Sequence, residues 1–550
     1  MQVLAVAALL VAPTAALVLF PGTISTRAPP PSMMSTPPRR VAVVGAGIGG
    51  LALARALKTL DTGVEEIAVF DRREELRPNI GGGIQINGGA AVLARLGLGD
   101  QMKASALPVK RILSRKSGGF ELLDIDVASL VSAEPALVGA DGTPQAFSIM
   151  RDALQRILVD GLPEGTLRLG RRLIGIDEGA DGVELTFEDG TSERFDLVVG
   201  ADGLSSKVRE HVEASHADAD GVGVTPPSYS GIRVQFGVVP DGGSRPAGSS
   251  GEFHQWFGEG VYALTGSYGT GAADGSTSDM VAVVFADPAS ASGEPPENSN
   301  WEVRSLLTTP CASLPMPERP HTVMAHAECP HAGCLSHTLP LDCARARPYL
   351  PISHCGALRR MLATARDAPA SAALHLTPCF PRVLPQVSDV RDDCVRRLQT
   401  AGIPAEVVTV AQKSERCFEL GVYEHSATAP WVSKRGHAVL LGDAAHAMAP
   451  FLGQGANQAI QDGYCLADRL AAANNGGVGS KVVGALQSYT LLRRAPVTAL
   501  QIESRLLGAM ETAGGGPGTL PQIVRDAFFF VNGKLGIAAQ VFVKGARPWV

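Results

Sequence analysis

The sequence carries no excess of positive charge. Its 550 residues hold 48 Lys and Arg against 54 Asp and Glu, a formal charge of −6. Without a large basic field to attract phosphate polymers, a nucleic-acid partner is excluded as the main role, and so is a polybasic membrane contact. The chain also lacks any Cys-x-x-Cys pair, although it has nine cysteines. Six of them (Cys311, Cys329, Cys334, Cys343, Cys355, Cys379) crowd into one stretch that also holds six His and nine Pro. Cys329, His331, Cys334 and His337 lie close together there, but prolines forbid the usual hairpin and helix supports, so no metal is expected. What is present is an ordinary globular balance, 45% hydrophobic and 19% charged, which excludes a wholly disordered or collagen-like chain. The length exceeds what one compact core usually holds and predicts two domains with additions.

Acidic residues are missing from the whole N-terminus, the first being Asp61. Val3 to Phe20 is apolar apart from Pro13 and Thr14, a length and composition that read as a secretory hydrophobic region. Pro21 to Arg40 follows with six prolines, three arginines and no acid, which reads as an organelle transit segment. The two together predict residues 1–40 as a targeting leader for two-step import, as into a plastid with extra membranes. An uncleaved membrane anchor and a secreted product are the alternatives.

Chemistry begins directly after the leader. Val41 to Val44 is a short apolar run, followed by Gly45-Ala-Gly47-Ile-Gly-Gly50, a helical pattern to Leu60, and a second apolar run ending at Asp71. This is strand, glycine turn, helix, strand and acid, the pattern of a dinucleotide site. Gly45 permits the tight turn, Gly47 lets backbone approach a pyrophosphate, and Gly50 lets helix and strand pack closely. The helix N-terminus offers free N–H groups to phosphate, and Asp71 is placed for ribose hydroxyls. Two later segments repeat the strand-then-acid theme. Phe195 to Arg209 runs through Gly200-Ala-Asp202-Gly203 into a helix, where Asp202 could bind a ligand or cap that helix. His437 to Asp462 carries Gly442-Asp443 and then Gly453-Gln-Gly455-Ala-Asn457 at the start of a long helix. Its loop N–H groups could stabilise negative charge on a ring system. His446 reads as structural.

The three motifs, in this order, resemble the FAD-dependent aromatic-hydroxylase family, single-component monooxygenases with the para-hydroxybenzoate hydroxylase fold that include salicylate hydroxylases and zeaxanthin epoxidases. The resemblance spans about residues 40–300 and 392–512. It implies an α/β fold: a discontinuous Rossmann-type FAD-binding domain with a β-sheet substrate domain. It assigns Gly45, Gly47, Gly50 and Asp71 to the adenosine half of FAD, Asp202 to the second fingerprint and Asp443 to the ribityl chain. Gly453, Gly455 and Asn457 complete the third motif, and Arg151 falls where the family has an FAD-contacting Arg or Gln. NAD(P)H would act as a transient reductant, which agrees with the lack of a second Gly-x-Gly-x-x-Gly. The implied reaction places one oxygen atom of O2 on an electron-rich aromatic or alkene substrate through a flavin hydroperoxide. Catalytic residues are not identified. The family often carries an Arg in the strand after Tyr229-Ser-Gly231, where this chain has Phe236, so a carboxylated aromatic substrate is disfavoured. No Trp-x-Trp pair occurs, which counts against a halogenase. The rivals are a reductase or dehydrogenase of the same fold and a flavin-binding chain without turnover.

Domain boundaries follow from these motifs. Residues 41–225 form the first part of the FAD-binding domain and 226–307 the substrate sheet. Residues 308–387 form a Cys/His/Pro-rich insert, predicted to be disordered and foreign to the fold. The substrate domain ends over 388–430, and 431–512 return to the FAD-binding domain. Hairpins are expected at Lys116-Ser-Gly-Gly119, Asp181-Gly182 and Asp189-Gly190. Residues 513–550 are read as a tail with one apolar helix from Ile523 to Val543, able to pack on the body, touch a membrane surface or join a second copy.

Overall fold

The computed structural model describes residues 37–76, 81–217, 224–272, 274–287, 387–476, 482–512 and 520–550. All of these belong to one compact unit. Residues 1–36 of the expected leader (1–40), residues 288–386 and the glycine cluster at 514–516 lie outside the described residues, and with them nearly all of the expected insert.

The first layer is a five-stranded sheet in the order Ala438–Leu440, Leu197–Gly200, Arg40–Val44, Glu66–Phe70 and Leu167–Arg168, with every neighbouring pair parallel. Parallel strands are covered on both faces, so they need continuous apolar runs rather than alternation. Val41, Ala42, Val43, Leu197, Val198, Val199, Ala438 and Val439 are accordingly all fully buried. Strands contributed from residues near 40, 200 and 438 thus meet side by side, and the loops after them converge at one edge. Helices Ile48–Thr59 and Gly455–Asn474 pack together beside this sheet, where Gly463 offers no Cβ to the backbone of Leu53.

The second layer is a large, mostly antiparallel sheet. Its main path runs Arg416–Glu424, Ser228–Val239, Thr277–Ala286, Val261–Gly269, Glu252–Phe257, Arg111–Lys116 and Glu121–Asp126. The strand pair around Lys116 to Gly119 forms as expected, with Gly119 at φ +87°. The hairpins at Asp181-Gly182 and Asp189-Gly190 form a separate three-stranded sheet. Leu167–Arg168 leaves that hairpin to join the parallel sheet instead, because its register is taken by Val69 and Phe70. Thr277–Ala286, absent from the sequence expectations, lies in the middle of the large sheet with both neighbours paired.

The expected single tail helix is two, Leu520–Lys534 and Ile537–Ala546, bent by 78°. Gly536 at φ +68° provides the break, a conformation that most side chains resist. Of the three roles open to this tail, packing on the body is what the structure shows. Phe529 packs on Phe257 with centroids 4.6 Å apart, and Trp549 N donates to Gln461 Oε1 at 2.9 Å. Among the described residues no single helix is long and apolar enough to cross a membrane.

Candidate functional site

The glycine turn after the first strand has the geometry its residues imply. Gly45 holds φ +110°, and a Cβ there would fall 2.3 Å from the carbonyl oxygen of Ala201. A Cβ on Gly50 would lie 2.1 Å from the Gly45 oxygen, so both positions exclude any side chain. Gly47 differs, because a Cβ there meets nothing within 4 Å. Its openness faces away from protein, at the N-cap of helix Ile48–Thr59, which has no side-chain cap and no acid in its first turn. Unpaired N–H groups and a positive dipole end are therefore presented at that point.

Asp71 sits beside this turn, buried, and accepts from Ala46 N at 2.9 Å. It also accepts from the backbone N, Nε and Nη2 of Arg73, each at 2.9 Å. Burial alone would raise its pKa, but the Arg73 guanidinium holds the carboxyl below its ordinary value. Four donors fill a carboxylate's capacity, so a ribose hydroxyl reaches Asp71 only by sharing it with Arg73. Arg73 is therefore part of this corner, which the sequence pattern did not single out.

The second motif packs against the first, with Ala201 N donating to Val44 O at 2.8 Å. The Asp202 carboxylate accepts from Lys207 N at 2.7 Å and from the Ser206 hydroxyl. Its side chain thus acts as a helix cap, the alternative that its position left open. Burial raises its pKa. Arg209, one turn on, donates to the carbonyls of Ala444 and Ala445 at 3.1 Å each and so fixes the segment that follows Asp443.

The third motif lines a cavity of about 530 Å³. Asp443 is exposed at its wall and has no partner among the described residues. Gly442, at φ +57°, gives its N–H to Asp462 at 2.9 Å. Gly453 sits at φ +63°, and Gly455 opens helix Gly455–Asn474, again with no side-chain cap and no acid in the first turn. Gly453 to Ala456 all line the cavity, so this helix N-terminus is turned toward it. Asn457 is fully buried behind the wall. Its Oδ1 accepts from Asn87 N and Gly89 N, while Nδ2 donates to the carbonyls of Gln85 and Gly453. With all four bonds made to the chain, Asn457 positions the loop rather than meeting a ligand. His446 is likewise structural: it bonds Asp462, which also accepts from Arg493 Nε at 2.8 Å.

Arg151 opens helix Arg151–Val159 and lines the same cavity, with its side chain against Gly81. The Gly81-Gly82-Gly83 run, which sequence reasoning passed over, lines the cavity too. Gly83 is required there, since a Cβ would fall 2.2 Å from the Tyr268 ring. The rest of the wall comes from the large sheet, where Phe236 stacks on Phe418 at 5.0 Å and 22°, and from helix Val482–Glu511 and the two tail helices. Arg233, in the same strand as Phe236, is held by Asp287 at 3.0 Å and Glu419 at 2.6 Å and does not line the cavity.

These residues fit FAD. A backbone cradle without a Cβ at Gly47 and an uncapped helix end suit a pyrophosphate. The unpartnered Asp443 suits a polyol, and the second uncapped helix end suits a ring that gains negative charge.

The sequence profile of the family described as FAD binding domain matches residues 39–226 and 385–503, more than half of the chain. Streptomyces platensis 3-amino-4-hydroxybenzoate 2-monooxygenase PtmB3 is 26% identical over 437 residues, covering 79% of this chain and 80% of that protein. The FAD-dependent urate hydroxylase of Klebsiella pneumoniae is 33% identical over 172 residues, 31% of this chain and 42% of that protein. Among solved structures, Klebsiella pneumoniae HpxO complexed with FAD and uric acid aligns with TM-score 0.60 at 19% identity, covering 92% of this chain and 97% of that one. A salicylate hydroxylase substrate complex aligns with TM-score 0.56 at 20% identity, covering 93% and 98%. At these identities the structural likeness establishes the fold.

Proposed function

The chain belongs to the FAD binding domain family, and from that premise we propose that it is a single-component monooxygenase acting on an electron-rich aromatic or alkene substrate. The reaction consumes substrate, O2, NAD(P)H and a proton, and yields oxygenated product, water and NAD(P)+. FAD, when bound, supplies the redox and oxygen-activating chemistry.

The observation that carries this reading is one cavity bounded by two different surfaces. Asp443, Arg151 and the Gly453–Ala456 helix start form part of its wall, and Phe236 and Phe418 of the large sheet form another. In this arrangement Gly47 and the helix start at Ile48 hold pyrophosphate, and Asp443 accepts from ribityl hydroxyls. The helix start at Gly455 offers its dipole where the ring gains negative charge. Phe236 and Phe418 seat a flat apolar substrate, and the tail helix bearing Phe529 keeps water out. Anaerobic reduction by NADPH followed by 18O2 and a screen of phenols, N-heteroaromatics and alkenes tests the proposal. One 18O atom in the product is expected. NADPH oxidation with no label in any product would assign the chain to reductase or dehydrogenase chemistry.

Two further parts of the proposal concern location. The leader composition supports import into a plastid, and a fluorescent fusion of residues 1–45 that stays cytosolic would overturn it. Ile523 and Val531 on the first tail helix and Leu535 in the turn after it are exposed, which supports peripheral membrane contact; failure to float with liposomes would refute that.

A further inference from the structure

Among the polar side chains that line the cavity, one buried carboxyl has no ion pair among the described residues. Glu511 ends the helix Val482–Glu511 and lines the cavity, with 2% of its surface exposed. Its Oε2 has no hydrogen-bond partner, and no ion pair reaches its carboxyl among the described residues. Leaving a buried carboxyl unpaired costs stability, because desolvation is not offset by any bond. A side chain kept only for packing would be apolar at this position.

The surroundings of Glu511 narrow what it can meet. Tyr262 lines the same cavity, and its hydroxyl accepts from Gln255 Nε2 at 2.9 Å, which leaves its own O–H free to donate. Gln255 is fixed in turn by the Ser114 hydroxyl on its Oε1. Burial pushes the Tyr262 phenol well up. Burial also pushes the Glu511 carboxyl well above the ordinary carboxylate range. Much of the remaining wall is apolar, including Leu264, Phe418 and Phe528. The other charged groups lining the cavity are engaged or lie toward the third motif. Glu503 is paired with Lys544 at 3.3 Å, and Asp443 stands beside the helix start at Gly455. Arg151 is the one cationic side chain among the lining residues, and it lies against Gly81.

We propose that Glu511 is a specificity residue, which receives a basic nitrogen on an otherwise apolar, aromatic substrate. The inference rests on the reading of this cavity as the substrate site. An ammonium entering from water displaces the Glu511 proton to solvent and forms an ion pair in a region of low dielectric, where such a pair is strong. A hydrocarbon ring leaves the carboxyl unpaired. A carboxylated ring brings a second acid against it and is refused.

Three ring systems of nearly equal shape test the proposal: 1,2,3,4-tetrahydroisoquinoline with a basic nitrogen, isochroman with an ether oxygen, and tetralin with neither. Isothermal calorimetry on the flavin-loaded protein reads binding of each, for wild type, Glu511→Gln and Glu511→Leu. The wild type is expected to hold the amine about tenfold or more tighter than tetralin and isochroman. Glu511→Leu is expected to erase that preference while keeping tetralin binding, with Glu511→Gln retaining part of it. A wild type without the preference, or a preference that survives both substitutions, overturns the proposal. The visible flavin spectrum is recorded on the same samples. Colourless protein would count against the monooxygenase reading, whereas the calorimetric preference decides the role of Glu511 with or without flavin.

Discussion

Gly45 and Gly47 stand two residues apart and answer to different demands. Gly45→Ala drives a methyl into the Ala201 carbonyl at positive φ. It should therefore lower the melting temperature of the apoprotein by several degrees, in line with strain of about 1–3 kcal/mol. Gly47→Ala meets open space at φ −77° and should leave that melting temperature unchanged. Its methyl occupies the pyrophosphate approach instead, so FAD affinity measured by flavin fluorescence should fall. Equal effects of the two substitutions on apoprotein stability would contradict the assignment. Asp443→Ala should weaken FAD binding by roughly ten- to a hundredfold, as expected for losing a hydrogen bond to a charged group worth about 1.5–3 kcal/mol. Glu511→Leu should do the opposite to stability: removing an unpaired buried carboxyl should raise the melting temperature by about 2–4 °C or more. These glycines and Asp443 were legible in the sequence because their roles are set by local backbone and by spacing along the chain. Glu511 was not legible, since nothing near it in sequence signals the cavity that only tertiary packing creates.

At the scale of elements, the helix Gly455–Asn474 is held in place by a buried knot of Asp462, Arg493 and His446. Asp462 and Arg493 are both fully buried and paired at 2.8 Å. Desolvation opposes the Asp462 charge, but His446 and Arg493 outweigh it and lower its pKa to about 2. Arg493→Met should leave an uncompensated buried carboxylate and cost about 3–5 kcal/mol in urea unfolding. A loss below 1 kcal/mol would show that the pair contributes little to the fold. Reading elements from sequence succeeded where periodicity or turn chemistry is local, as in the parallel strands and the Gly119, Gly182 and Gly190 hairpins. It failed for Thr277–Ala286. Eight of its ten residues, from Ser278 to Phe285, are consecutively buried, so the strand lacks the alternation expected of a half-exposed strand. It failed again at the tail, where an apolar run continuous in sequence is broken at Gly536.

At the scale of the molecule, stability should depend on acid. Burial, with the nearby Arg209 charge, lowers the pKa of His425 to about 4. A histidine depressed in the folded state contributes stability that is full above its unfolded pKa near 6.5 and is lost as pH falls through about 4. The melting temperature should therefore drop between about pH 6.5 and 4, by an amount worth up to roughly 3 kcal/mol, and His425→Gln should flatten that slope. Closure of the cavity is also a property of the whole molecule, since the tail helix supplies Phe529 against Phe257 from far along the chain. Phe529→Ala should admit water and raise hydrogen peroxide released per NADPH consumed, measured with a peroxidase-coupled assay; unchanged coupling would remove the tail from this role. Flavin-dependent oxygen chemistry is tested by purifying residues 41–550, recording the visible spectrum, and adding NADPH or NADH first without and then with air. A bound flavin is expected that bleaches anaerobically and regains its colour in air. A colourless protein, or a flavin that neither NADPH nor NADH reduces, would contradict the monooxygenase function.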